Sequence, residues 1–155
     1  HNFLQEVSEI LLMSGLEPDY LELEVTESVA IHAETEVINW LHKLRSMGVK
    51  LALDDFGTGY SSLSYLKRLP INNVKIDKSF IRDIETDPDD ATIITAIIRM
   101  SHGLRLNVIA EGVENINQLE FLKKEGCDQM QGFIASRPVP ADEFALLLQN
   151  WPTPS

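Results

Sequence analysis

The chain has 155 residues, 44% of them apolar and 24% charged, and its 24 Asp and Glu against 13 Lys and Arg give a formal net charge of −11. That is enough for one buried core, yet it falls below the roughly 200 residues at the lower end for a closed (β/α)8 barrel. So acidic a balance leaves no basic face for a nucleic-acid backbone or an anionic lipid surface, so DNA, RNA and membrane contact are not expected, and an anionic substrate would need a cation from elsewhere.

In chain order, residues 2 to 14 read as a helix with Phe3, Val7, Ile10 and Leu11 on one face, Asn2 and Gln5 at capping-box spacing, and Gly15 as the stop. Leu21, Leu23 and Val25 then alternate with Glu22, Glu24 and Thr26, the period of a strand. A helix over 35–47 turns Val37, Leu41 and Leu44 inward. Val49, Leu51 and Leu53 next alternate with Lys50, Ala52 and Asp54. A short helix near 61–68 leads to a strand in which Val74 and Ile76 alternate with Lys75 and Asp77. Asp87-Pro88-Asp89-Asp90 has the N-cap, N1 proline and acidic first turn of a helix reaching Gly103. A strand over 107–111, a helix from the Asn115/Gln118 capping box to Gly126, a strand near 128–131 and a helix over 141–149 complete the pattern. The lone Cys127 permits no disulfide and fits a reducing cytoplasm. No apolar run reaches the ~18 residues of a membrane span, and His1-Asn2-Phe3 lacks the regions of a signal peptide. The expectation is a piece of a longer protein, with a loose tail at 151–155.

Strand and helix alternate throughout, which predicts an α/β fold with right-handed crossovers and about five parallel strands. Successive strands begin about 27 residues apart on average, so eight such units would need roughly 215 residues, within the range of a (β/α)8 barrel. The fold is therefore either a complete doubly wound sheet or the last five strands of a barrel. The strands end in polar groups: Glu24 and Glu27, Asp54 and Asp55, Lys75 and Asp77, Glu111 and Glu114, and Gln131. Within their strands Glu24, Asp54, Lys75 and Asp77 have the parity opposite to the aliphatic residues, so in a barrel they would converge at the carboxyl mouth. Carboxylates gathered there repel unless a cation is bound. An all-oxygen donor set suits Mg2+ or Mn2+, and a pair of such ions is a standard device for cleaving phosphodiesters. The loop Phe56-Gly57-Thr58-Gly59 follows the two aspartates, and its glycines allow close backbone approach.

Five stretches, LELEVTES (21–28), LALDDFGTGYSSL (51–63), NVKIDKSFI (73–81), VIAEGVE (108–114) and QGFIASRPV (131–139), resemble the EAL-domain cyclic di-GMP phosphodiesterases, in the family's order. The resemblance implies a TIM-like barrel that hydrolyses cyclic di-GMP to linear pGpG in bacterial signalling, using two Mg2+ or Mn2+ ions in the complete domain. It makes Glu24, Asp54 and Asp55 metal ligands, with Asp54 bridging, Lys75 the lysine that holds the attacking water, and Glu111 the general base. Glu27 corresponds to the acid supporting the glycine-containing loop, and Asp77, Gln131 and Glu114 to supporting residues around the site. The family's Glu-Ala-Leu strand and its asparagine motif would lie upstream of His1. Residues 1–150 then read as the C-terminal two-thirds of the domain, with impaired activity in isolation. The resemblance further implies a homodimer, through segments near 56–70 and 88–103, and upstream sensory or GGDEF-type domains in a parent that is cytoplasmic or membrane-anchored. A domain that binds cyclic di-GMP or a protein without cleaving it is the alternative.

Overall fold

The structure, a computed structural model, describes residues 3–31, 35–57 and 63–151. Helix α1 (Phe3–Ser14) and a 3-10 turn (Pro18–Tyr20) precede β1 (Glu22–Thr26), α2 (Glu27–Ile31), α3 (Thr35–Ser46) and β2 (Lys50–Phe56). Then come α4 (Leu63–Leu66), β3 (Asn73–Ile76), α5 (Lys78–Asp83), α6 (Pro88–Gly103), β4 (Asn107–Glu111), α7 (Ile116–Glu125), β5 (Gln129–Gln131) and α8 (Ala141–Gln149).

All five strands are parallel and lie in the order β1-β2-β3-β4-β5. A doubly wound sheet reverses its strand order at a switch point. No reversal occurs here, so the winding is that of a (β/α) barrel, as the spacing of the strands allowed.

The two faces of the sheet differ as the alternation predicts. Leu51, Leu53, Val74, Ile76, Val108 and Ala110, all at most 2% exposed, form one face and pack with Leu41 and Leu44 of α3, Ile81 of α5, Ile94 and Ile98 of α6 and Leu122 of α7. Each such Leu or Ile contributes about 1.5–3 kcal/mol by leaving water. Glu22, Glu24, Asn73, Lys75 and Asn107 lie on the opposite parity, and Glu22, Glu24 and Lys75 border a cleft of about 670 Å3 that is also lined by Phe133, Arg137, Phe144, Leu148 and Trp151.

Local signals set several element ends. Asp87 caps α6 by accepting from the Asp89 amide, and Asn115 and Gln118 form a reciprocal capping box on α7. Gly126 ends α7 in the left-handed region, φ 83°. Other details depart from the local reading. On α1 only Val7 and Leu11 are buried, whereas Phe3 and Ile10 point outward at 46% and 64% exposure. Gln5 donates to Glu9 one turn on, and Asn2 lies outside the described residues. Helices α2 and α5, of five and six residues, are too short to show a period and were not anticipated. No described helix is long and apolar enough to cross a membrane.

Asp128 ties three elements together. Its Oδ2 accepts from the Val108 amide at 2.8 Å and meets His102 Nε2 at 2.8 Å, linking the start of β5 to β4 and the end of α6. Burial pushes this carboxyl up, but the bonds from His102 and Val108 outweigh it and hold it below its ordinary value. A depressed carboxyl stabilises the fold above its unfolded pKa of about 3.9, and that contribution is lost as pH falls through the folded value. Asp128→Asn is therefore expected to cost about 1 kcal/mol at pH 7. Denaturant midpoints should show the gap to wild type closing at acidic pH.

Candidate metal and catalytic centre

At the carboxyl ends of the strands, β3 supplies a buried cation. Lys75, 4% exposed, places its Nζ 2.6 Å from Glu24 Oε1 on β1, 3.1 Å from Asp54 Oδ1 on β2 and 2.6 Å from Glu111 Oε1 on β4. An ammonium has three protons to donate, and three carboxylates surround this one. Burial alone would depress the lysine, but the three surrounding carboxylates of Glu111, Glu24 and Asp54 prevail and hold it well above its ordinary range. Lys75 is therefore a fixed positive charge at physiological pH, not a base.

Strict alternation would send Asp55 to the helix-covered side of β2. A register irregularity changes this: Leu53 pairs with Val74 and Phe56 with Ile76, so Asp54 and Asp55 together oppose the single residue Lys75. Such a bulge re-aims a side chain and often marks a functional site. Asp55 takes φ 56° to make the bend. As a result one ligand atom each from Asp54, Asp55 and Glu111 lies within 4.8 Å of the others.

This donor set fits a hard divalent cation, being all oxygen and anionic. Asp54 Oδ1 adds a specific sign. It is buried, its ion-pair contact is the lysine 3.1 Å away, and no hydrogen bond of good geometry reaches it from the described residues. A buried carboxylate oxygen with only a shared ammonium beside it would be better satisfied by a cation of its own.

The strand-end loops are braced from below. Glu27, 2% exposed at the start of α2, accepts from the Gly57 amide through Oε2 at 2.9 Å. Phe56 is buried, while Thr58 and Gly59 lie outside the described residues. A side chain at Gly57, φ 102°, would put its Cβ 2.8 Å from the Phe80 ring. Glu27→Ala should release the Gly57 amide, and its hydrogen exchange is expected to lose about 1–3 kcal/mol of protection.

The remaining candidates stand further from the lysine cluster. Asp77 caps α5, accepting from the amide and hydroxyl of Ser79, because β3 ends at Ile76 and the strand parity does not extend to it. Glu114 is exposed, with its amide donating to Gln118 Oε1. Gln131 ends β5 beside Glu111 and lines the cleft. Arg137, in the same lining, lies 4.5 Å over the Phe133 ring. Sequence reasoning did not single out Asn73, Asn107 or Gly132, whose roles depend on cross-strand register or on the approach of distant backbone.

A five-strand β/α sheet with an acidic cluster around one buried lysine at its carboxyl end defines a barrel-type domain whose carboxylates could hold a cation. The chain belongs to the EAL domain family, whose sequence model matches residues 1–138. It is 48% identical over 141 residues to the bifunctional diguanylate cyclase/cyclic di-GMP phosphodiesterase MucR of Pseudomonas aeruginosa, covering 91% of this chain and 21% of MucR. It is also 48% identical over 139 residues to the cyclic di-GMP phosphodiesterase NbdA of the same organism, covering 90% of this chain and 18% of NbdA. The chain thus spans about a fifth of the length of these curated relatives. Among solved structures, the PaMucR phosphodiesterase in complex with c-di-GMP superposes with a TM-score of 0.87 at 48% identity, covering 91% of this chain and 57% of that one. A manganese/c-di-GMP complex of Klebsiella pneumoniae BlrP1 gives 0.82 at 37% identity, covering 89% and 36%.

Proposed function

We propose that this chain carries a large part of the active centre of a metal-dependent phosphodiesterase that hydrolyses cyclic di-GMP to linear pGpG. The observation that carries the reading is the enclosure of Lys75 by Glu24, Asp54 and Glu111, with Asp55 brought alongside by the β2 bulge. The relatives named as cyclic di-GMP phosphodiesterases supply the substrate.

In this reading Glu24, Asp54 and Asp55 hold Mg2+ or Mn2+, and Glu111 faces the same space. Ions of this kind lower the pKa of water and offset charge on phosphoryl oxygens. Glu111 would accept a proton from the water that attacks phosphorus, the bond from phosphorus to the ribose 3′ oxygen breaks, and that oxygen takes up a proton from solvent. Lys75 contributes charge and position. Its ammonium keeps the carboxylates from repelling one another and faces the charge that develops on the phosphoryl group. Glu27 holds the loop after the aspartates through the Gly57 amide, while Gln131 and Glu114 border the site from β5 and the β4 loop. Asp77 supports it at one remove, by fixing the start of α5 after the lysine strand.

The domain is proposed to work as a homodimer through its 56–70 and 88–103 segments, in the cytoplasm and beside further signalling domains. The deciding experiment follows c-di-GMP and pGpG by chromatography with the native protein. Mn2+-dependent conversion, abolished by chelation and restored by Mn2+ or Mg2+, is the expected result. Tight binding of c-di-GMP without turnover under the same conditions would instead make the domain a receptor.

A further inference from the structure

Two residues below the lysine cluster, toward the amino ends of the strands, the same polar face carries a second set of contacts. Register puts Ala52 opposite Glu24 on one side and opposite Asn73 on the other, and pairs Asn73 with Asn107. Asn73 is 4% exposed. Its amide nitrogen donates to Glu22 Oε2, and its carbonyl oxygen accepts from Asn107 Nδ2 at 3.1 Å. Both ends of this buried amide are thus engaged, by β1 on one side and β4 on the other.

The link from Asn73 to Glu22 spans strands that are not neighbours. β2 lies between β1 and β3, so at ~4.8 Å per strand the two are about 9.6 Å apart. The link slants across β2 between Lys50, which registers with Glu22, and Ala52, which registers with Asn73 and whose methyl group adds little bulk in its path. The ion pair from Lys75 to Glu24 crosses the same strand two residues further on. β1 and β3 are therefore joined by two struts, one charged and one an amide-to-carboxylate bond.

The geometry points to Glu22, with Asn73 and Asn107, as positioning residues that fix β1 against β3 and so set where Glu24 stands relative to Lys75. The metal-related part of this inference rests on the proposed function. Glu24 is 47% exposed, against 20% for Asp54 and 18% for Glu111, so packing holds it least. When Glu24 serves a cation it competes for the same oxygens that Lys75 now holds, and the charged strut weakens. The Glu22–Asn73 strut does not depend on those oxygens. It keeps β1 at its spacing in both states, which matters because a ligand must stay within about 0.5 Å of its productive place.

The test measures Mn2+ affinity by calorimetric titration, together with kcat and KM, in the native protein and in three variants. Glu22→Leu removes the acceptor and is expected to weaken Mn2+ binding about 10-fold, the low end for loss of a partner behind a metal ligand. kcat should fall in parallel, with KM for c-di-GMP unchanged. Glu22→Gln keeps an oxygen for Asn73 Nδ2 and should restore affinity to within about twofold of wild type. Asn107→Ala acts from the far end of the ladder and should give a smaller loss in the same direction. Hydrogen exchange of the amides pairing β1 with β2 supplies a readout that needs no metal: faster in Glu22→Leu, native in Glu22→Gln. A Glu22→Leu protein with native Mn2+ affinity and native exchange overturns the inference, as does a Glu22→Gln protein that behaves like Glu22→Leu. If the unaltered protein does not hydrolyse c-di-GMP, the functional reading fails, and exchange and Mn2+ binding still decide the strut.

Discussion

Lys75→Met is expected to lower c-di-GMP hydrolysis by about 10³-fold and, in cation-free buffer at pH 7, to remove about 3–5 kcal/mol of folding stability. On the proposed function, the activity loss follows from deleting the fixed charge placed to face the phosphoryl group. The stability loss follows from what is left behind, since Glu24, Asp54 and Glu111 all lie within 3.1 Å of the lost ammonium and would then face one another. Methionine matches the length of the side chain without its charge, so a cavity is not the cause. In the variant the three carboxylates face one another with no ammonium between them, and protonation relieves their repulsion. Such groups favour folding when protonated, so the deficit should be present at pH 7 to 8 and shrink toward pH 5. Wild type should show no such trend over this range, because its lysine stays charged. Added Mn2+ should recover part of the lost stability without restoring turnover. Denaturant midpoints at pH 5 and 8, with and without Mn2+, alongside pGpG formation, separate these effects. A variant as stable as wild type at pH 8 would show that the ammonium does not hold the carboxylates together.

Gly132→Ala is expected to cost about 3 kcal/mol or more, although the substitution adds one methyl group. A Cβ at Gly132 would sit 2.1 Å from Val113 O and 2.3 Å from Val113 N, and these are backbone atoms that cannot rotate aside. The same backbone accepts from Ile134 N at 3.0 Å and donates to Gln131 O at 3.1 Å, so any shift breaks the joint between β5 and the loop after β4. Glu111 lies at the end of β4, paired with Gln131. The damage should therefore reach the site, with activity falling alongside stability. Gly126→Ala is the control. That glycine has open space and only a positive φ of 83°, so about 1 kcal/mol of backbone strain is the whole expected cost. Urea melts of the two variants compare close approach with conformation directly.

What could be read from the sequence follows from the range of the forces involved. The alternation in 21–26 and 73–76 separates an aliphatic from a polar face within a few residues, and the caps at Asp87 and Asn115 act over three or fewer positions. Both therefore appeared where expected. The polar parity likewise placed Glu24, Asp54 and Lys75 on one face. The β2 bulge was not legible, because it is a relation between two strands, and alternation alone assigns Asp55 to the wrong side. For the same reason the Glu22–Asn73–Asn107 ladder was missed: each residue is an ordinary polar strand position until register aligns them. Phe3 and Ile10 mark the opposite limit, where an apolar periodicity was present but only Val7 and Leu11 found a surface to cover.

The unbroken strand order also has a consequence for how the protein comes into being. Each strand hydrogen-bonds to the one made just before it, so none of the five must wait for a distant segment to be synthesised. Pairing between successive strands lets the sheet extend stepwise from the amino end as synthesis proceeds. The chemistry is assembled on the same schedule. Glu24 and Asp54 precede Lys75 on the third strand, and Glu111, the proposed proton acceptor, comes only with the fourth. Once β3 has cleared the ribosome, the emerging sheet would already be stitched by its own lysine, yet still lack the proposed proton acceptor.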